Sequence, residues 1–336
     1  MAAMPRNRWR AKAPAGKVGG IPGHFPRRAL QLSEEQRRGD DLNRAVLYMM
    51  AAAVLIPLLN ASAKYLAVTY PVLEVAWARY AGHFIYMLLF FLPQRGIRIL
   101  ACSRPALQLL RSTLLCISTV IFVTGLPYVP LATASAISFT GPFIVTALAP
   151  LVLGERVGPK RWAAVAIGFV GALVVVRPGT GDMNTAALLF FGSAFFSAMY
   201  QLLTRKLAAH DSAETSITYI ALAGFVLTTI PLPFVWKTPV SWHDALLFFG
   251  LGLFGGFGHY FIVRAYEIAP APFVSPFNYL QLIGAALLGF VVFGQLPDAF
   301  VWCGAAVIAG SGIAMFYVER RGRTAAKAAP RLSPGE

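Results

Sequence analysis

From Ala45 to Val318 the chain is a succession of apolar stretches separated by short polar breaks. A helix crossing the ~30 Å hydrocarbon layer of a bilayer needs about 20 mostly apolar residues, and each stretch approaches or reaches that length. The pattern predicts ten spans, near 45–63, 72–92, 106–125, 131–153, 162–177, 185–204, 215–236, 245–264, 273–293 and 301–318. Pro71, Pro93, Pro105, Pro130, Pro159, Pro178 and Pro297 fall between them, where a missing backbone donor interrupts no helix. A soluble core is excluded, because soluble helices alternate an apolar stripe with a polar face and these do not. The fold class is therefore an all-α membrane protein of ten transmembrane helices.

Composition agrees. Hydrophobic residues make up 57% of the 336 and charged residues only 13%, against about 25% charged in a soluble domain. The net charge of +15 would suggest nucleic acid if the basic residues formed a patch, but they lie in tails and loops. Lys and Arg on the side of the two termini number 24, against 3 (Lys64, Arg177 and Lys237) on the other. Basic loops are retained in the cytoplasm, so both termini are expected there. The first 44 residues read as a basic, mostly unstructured cytosolic tail, with 27–38 a candidate headgroup helix. Its acidic residues argue against a transit peptide. Three scattered cysteines without a CxxC pair suggest neither a disulfide framework nor a metal site. No cofactor, metal or nucleic-acid partner is expected, and a homodimer is neither implied nor excluded.

Shifted by 140 residues, the chain aligns Pro130 with Pro270, Ser135 with Ser275, Gly154 with Gly294 and Trp162 with Trp302. That combination marks an internal repeat. Five spans per half is an odd number, so the halves are inverted in the membrane, an architecture of carriers whose site lies near the midplane. The expected segments are the tail 1–44, a first repeat 45–177, a connecting loop 178–184, a second repeat 185–318 and a basic cytosolic tail 319–336.

LGERVGPKRWAAVAIGFVGALVVVRPG, from Leu153 to Gly179, resembles the fourth loop and fifth helix of EamA-type proteins of the drug/metabolite transporter superfamily. FGQLPDAFVWCGAAVIAGSGIAMFY, from Phe293 to Tyr317, resembles the same region of a second EamA repeat, and SAKYLAVTYPVLEVAWARY, from Ser62 to Tyr80, is also similar. Gln295 departs from the pattern where the first repeat has Glu155. The resemblance implies two inverted EamA repeats, a central cavity, a bacterial inner-membrane location and transport of an organic solute, commonly export. Similar family members include carriers of amino acids, riboflavin, metallophores and nucleotide-like metabolites. Glu155 is expected at the surface, pairing with Arg156, Lys160 or Arg161.

Charge inside a span costs at least ~2.5 kcal/mol at the helix centre, so each intramembrane polar group needs a partner or a wet cavity. Arg79 lies about two turns into the second span with His83 one turn later, a pair suited to an anionic or carboxylate-bearing group; the alternative partner for Arg79 is Glu74. Asn60 is a second candidate, while its neighbour Lys64 is expected to snorkel to the interface and Arg111 to reach the headgroups. In the second half His259 and Tyr260 follow the glycine-rich run 250–258, which reads as close helix packing. Asn278 and Gln281 share a face beyond Pro276 and are expected to look into one cavity; Tyr200 and Gln201 add a polar edge. Trp77, Phe196 and Phe257 offer stacking surfaces, and Ser193 reads as a small packing residue.

No span carries a central Asp or Glu, which disfavours a carboxylate proton relay and leaves His83, His259 or uncoupled transport. The leading reading is a carrier of an amino acid-like, flavin-like or other zwitterionic or anionic metabolite. A membrane scaffold or sensor is the alternative. An intramembrane hydrolase is less supported, since neither GxSxG nor HExxH occurs.

Overall fold

The computed structural model describes residues 27–178, 185–207, 210–211, 213–269 and 271–328. Residues 1–26, 179–184 and 329–336, on which the N-terminal tail, connecting loop and C-terminal tail readings partly fall, lie outside the described residues. The chain divides into a unit ending at Asp40 and a unit Asp41–Glu336, and the second holds the ten spans. The expected surface helix at 27–38 is helical but belongs to a longer element.

Among the described residues there are ten helical spans. α1 is Arg27–Thr69; α2 is Val72–Tyr86, continued by a π turn at Met87–Phe91 and by Leu92–Arg95; α3 is Pro105–Gly125. α4 is split into Leu131–Ser138 and Gly141–Leu153, followed by α5 (Pro159–Val176), α6 (Ala187–Leu207), α7 (Ala213–Thr229) and α8 (Trp242–Ile268). α9 begins at Ala271–Val274, tightens into a 3-10 turn at Ser275–Tyr279 and continues as Leu280–Phe293; α10 is Ala299–Ala328. Seven are long and apolar enough to cross a membrane as single segments, with α7 and α10 contributing shorter apolar stretches. The π turn interrupts α2, and α10 runs well past the expected end at 318.

Local chemistry sets these boundaries. Proline at the first turn opens α3 and α5, where its missing N–H costs nothing. Gly154 and Gly294 end α4 and α9 at φ 67° and 65°, a left-handed cap that a Cβ would strain. Their equivalence under the 140-residue shift is preserved in three dimensions.

Packing follows an exchange of halves. α5 packs mainly on α10, α3 mainly on α6, α4 on α6 and α9, and α2 on α8 and α7, with α7 correspondingly on α3 and α2. The breaks in α4 and α9 fall at equivalent positions, and Phe139 meets Tyr279 across them with ring centroids 5.1 Å apart and planes tilted by 35°. α3 and α6 are joined by a reciprocal bond: Ser118 Oγ donates to the Ser193 carbonyl at 2.8 Å, and Ser193 Oγ to the Ser118 carbonyl at 2.9 Å. Ser193 is thus a helix-joining residue, consistent with polar side chains linking helices in lipid.

Candidate functional site

α2 and α8 approach until their backbones touch. A Cβ on Gly82 would lie 2.1 Å from the Gly252 Cα, and one on Gly255 would lie 2.8 Å from His83 Nε2. The glycine run on α8 therefore does more than pack: it brings His259 beside the polar face of α2. Arg79 Nη2 lies 3.3 Å from His259 Nε2. The rings of His83 and His259 meet edge to face at 5.9 Å. Arg79 Nε and His83 Nε2 are buried without a hydrogen-bond partner among the described residues.

These groups form the deep end of a cavity of about 660 Å³ between α2, α3, α6, α7 and α8. That volume suits a drug-sized ligand. Its walls include Tyr80, Tyr86, Phe90, Tyr200 and Tyr260, with Ser197 and Gln201 along α6. Arg264 and Glu267, in the last turns of α8, also line it; they pair with each other at 2.7 Å and are about half exposed, which places the mouth at that end. The opposite end is closed by polar ties. Tyr70 donates to Asp244 Oδ2 at 2.8 Å, Trp77 Nε1 to Thr229 Oγ1 at 3.0 Å, and the Lys237 amide to Glu74 Oε2 at 3.1 Å.

Of the residues singled out from sequence, the structure gathers Arg79, His83, Tyr200, Gln201, His259 and Tyr260 around this one space. Asn60, Asn278 and Gln281 do not line it. Asn278 Nδ2 donates to the Tyr266 hydroxyl of α8 at 2.8 Å and Gln281 Nε2 contacts Asn278 Oδ1 at 3.5 Å, so the two share a face as expected, but that face meets Tyr266 and does not line this cavity. Asn60 sits half-buried on α1. The aromatic wall is also different, since Trp77, Phe196 and Phe257 are absent from it.

Four electrostatic expectations change. Glu74 bonds the Lys237 amide, not Arg79. Glu155 pairs with Arg205 of α6 at 2.6 Å, because the loop after α4 lies against that helix end. Lys64 does not snorkel: it is 3% exposed, donates to the Val129 carbonyl at 2.5 Å and to Gln295 Oε1 at 3.0 Å. Arg111 does not reach headgroups: it is 1% exposed and bonds Thr204 Oγ1 at 3.1 Å and the Ser216 carbonyl at 2.6 Å. Lys64 with Gln295 and Arg205 with Glu155 are related by the repeat, each joining the end of a first helix to the loop after the other half's fourth.

Ten spans in two inverted halves around a polar-ended cavity are the architecture of a membrane carrier. The model of the EamA-like transporter family matches residues 43–177 and 184–317. A riboflavin transporter of Vibrio cholerae is 34% identical over 79% of this chain and 90% of its own length. An S-adenosylmethionine uptake transporter of Rickettsia prowazekii is 29% identical over 82% of this chain and 93% of its own. A solved crystal structure superposes with a TM-score of 0.58 at 17% identity, covering 82% of this chain and 98% of that one, a likeness of fold. The chain belongs to the EamA-like transporter family and is a multi-pass membrane transporter of small metabolites, not an enzyme.

Proposed function

We propose that this protein is a gradient-driven carrier of a planar, partly aromatic metabolite of flavin type, neutral or anionic and bearing carbonyl or carboxylate acceptors. The observation that carries this reading is the unpartnered Arg79 Nε at the deep end of a tyrosine-walled cavity. A guanidinium offers acceptors a planar fork of donors, and tyrosine faces add stacking. Glu267, the acidic residue at the mouth, is already held by Arg264. A sulfonium cation 4 Å from Arg79 would be repelled by on the order of 4 kcal/mol at an effective dielectric of ~20, so such a solute would have to turn its carboxylate to Arg79 and hold its sulfonium elsewhere, whereas a flavin carries no cation to place. That weighs the relatives' names toward the flavin.

The 24-to-3 basic asymmetry supports an inner-membrane protein with cytoplasmic termini, and the cavity mouth then faces the cytoplasm. Alternating access follows from rocking of the two halves. No acidic group lines the deep end among the described residues, so proton coupling would need His83 or His259; without it net flux follows the solute gradient in either direction, and export occurs when the solute is more concentrated inside.

Counterflow in proteoliposomes tests the reading. Riboflavin is expected to exchange through the wild type and S-adenosylmethionine not to. Arg79→Ala and Arg79→Lys should both cut exchange at matched protein quality. Exchange of the sulfonium alone, normal exchange in Arg79→Ala, or no flux of any solute from folded protein each reject it, the last favouring a scaffold or sensor.

A further inference from the structure

Arg111 is a fully buried guanidinium with no carboxylate within ion-pair range among the described residues. Burying a cation on those terms is costly, and what it gains must lie in its contacts. One guanidinium nitrogen holds Thr204 Oγ1 of α6 and another the Ser216 carbonyl at the start of α7. Its Cζ lies 5.2 Å over the ring of Tyr200. Thr204 Oγ1 in turn donates to the Tyr200 carbonyl at 2.7 Å. Tyr200 lines the cavity; Arg111 does not. The guanidinium therefore occupies the ring's outer side while the cavity occupies another.

We propose that Arg111 is a positioning residue that clamps Tyr200 as a rigid platform in the cavity wall and thereby sets the preference for planar solutes. This rests on the carrier reading above. Two bonds fix the guanidinium plane between α6 and α7, and the plane in turn fixes the tyrosine rotamer. Lysine would keep the charge and one bond to Ser216 but not the planar fork that reaches both Thr204 and Ser216 over the ring. A tyrosine free to rotate presents its edge as often as its face, and a flat solute loses its contact.

The test measures binding of free flavin to purified protein by fluorescence quenching, which reports stacking, in Arg111→Lys, Arg111→Met, Tyr200→Leu and the double variants. Arg111→Lys is expected to weaken binding about tenfold, the scale of an aromatic stacking contact. In the Tyr200→Leu background the same change should shift affinity less than twofold, since it acts through the missing ring. Should Arg111→Met fail to fold, Arg111→Lys, which retains charge and one bond, keeps the test intact. An equal effect of Arg111→Lys with and without Tyr200 overturns the proposal in favour of a general structural role. Unchanged affinity in Arg111→Lys with weakened affinity in Tyr200→Leu overturns it while leaving the cavity reading standing. Unchanged affinity in Tyr200→Leu overturns both.

Discussion

Gly252→Ala probes whether the α2–α8 contact is what assembles the deep end of the cavity. The added Cβ would sit 2.4 Å from the Gly82 Cα, whereas carbon atoms rest at about 3.5–4.0 Å. The helices must part by roughly 1 Å or more, and because the obstacle is backbone no rotamer change relieves it. Overpacking of this kind costs about 1–3 kcal/mol, and the better helix propensity of alanine returns at most about 1 kcal/mol. A net loss of roughly 1 kcal/mol is expected, a factor of about 5 in the folded-to-unfolded ratio. The same displacement would take the 3.3 Å Arg79–His259 contact beyond hydrogen-bond reach. Gly310→Ala is the control, since a Cβ there meets nothing within 4 Å and its φ is ordinary. It should stabilise by up to about 1 kcal/mol. Thermal unfolding of the purified variants in one detergent, with flavin binding on the same samples, checks both signs. A Gly252→Ala protein that melts at or above wild type and binds normally would refute the reasoning.

The Lys64 bond to Gln295 is already charge-assisted through the ammonium; Gln295→Glu makes it an ion pair at a half-buried position, which is expected to add up to about 1 kcal/mol. The expected rise in melting temperature should vanish when Lys64→Met is combined with it. Asp211 accepts from the Ser103 amide at 2.8 Å, and that bond chiefly holds its carboxyl below the usual range. A depressed folded-state value adds stability that is present above the unfolded value near 3.9 and lost as pH falls through the folded one. Exchange of the Ser103 amide should accordingly speed up, relative to its intrinsic rate, below pH 4, and Asp211→Asn should show the faster rate already at neutral pH. Ser118→Ala and Ser193→Ala should each destabilise by roughly 0.6 kcal/mol, the average for polar helix contacts in membranes, with the double variant less than additive by thermal unfolding, because the two hydroxyls share one joint.

By itself the sequence determined the number of spans, their approximate limits, the repeat and the residues unable to rest in lipid. These are one-dimensional properties: span length is set by bilayer thickness, and the cost of an intramembrane Arg79 or His259 applies whatever its neighbours. Which of those polar groups share a space was decided only in three dimensions. Arg79 and His259 are 180 residues apart, and they meet because two glycine backbones touch, a condition that a run of glycines permits but does not specify. Asn278 and Gln281 do share a face, as their i, i+3 spacing says, but that face meets Tyr266 of α8 and does not line the cavity. For Lys64 and Arg111 the error came from measuring depth along a single helix. Both lie near span ends, where a long basic side chain can snorkel in a lone helix, but the end of α1 is covered by Val129 of its own half and Gln295 of the other, and the start of α3 by Thr204 and Ser216 of the other half. There the carbonyls of Val129 and Ser216 replace the headgroups.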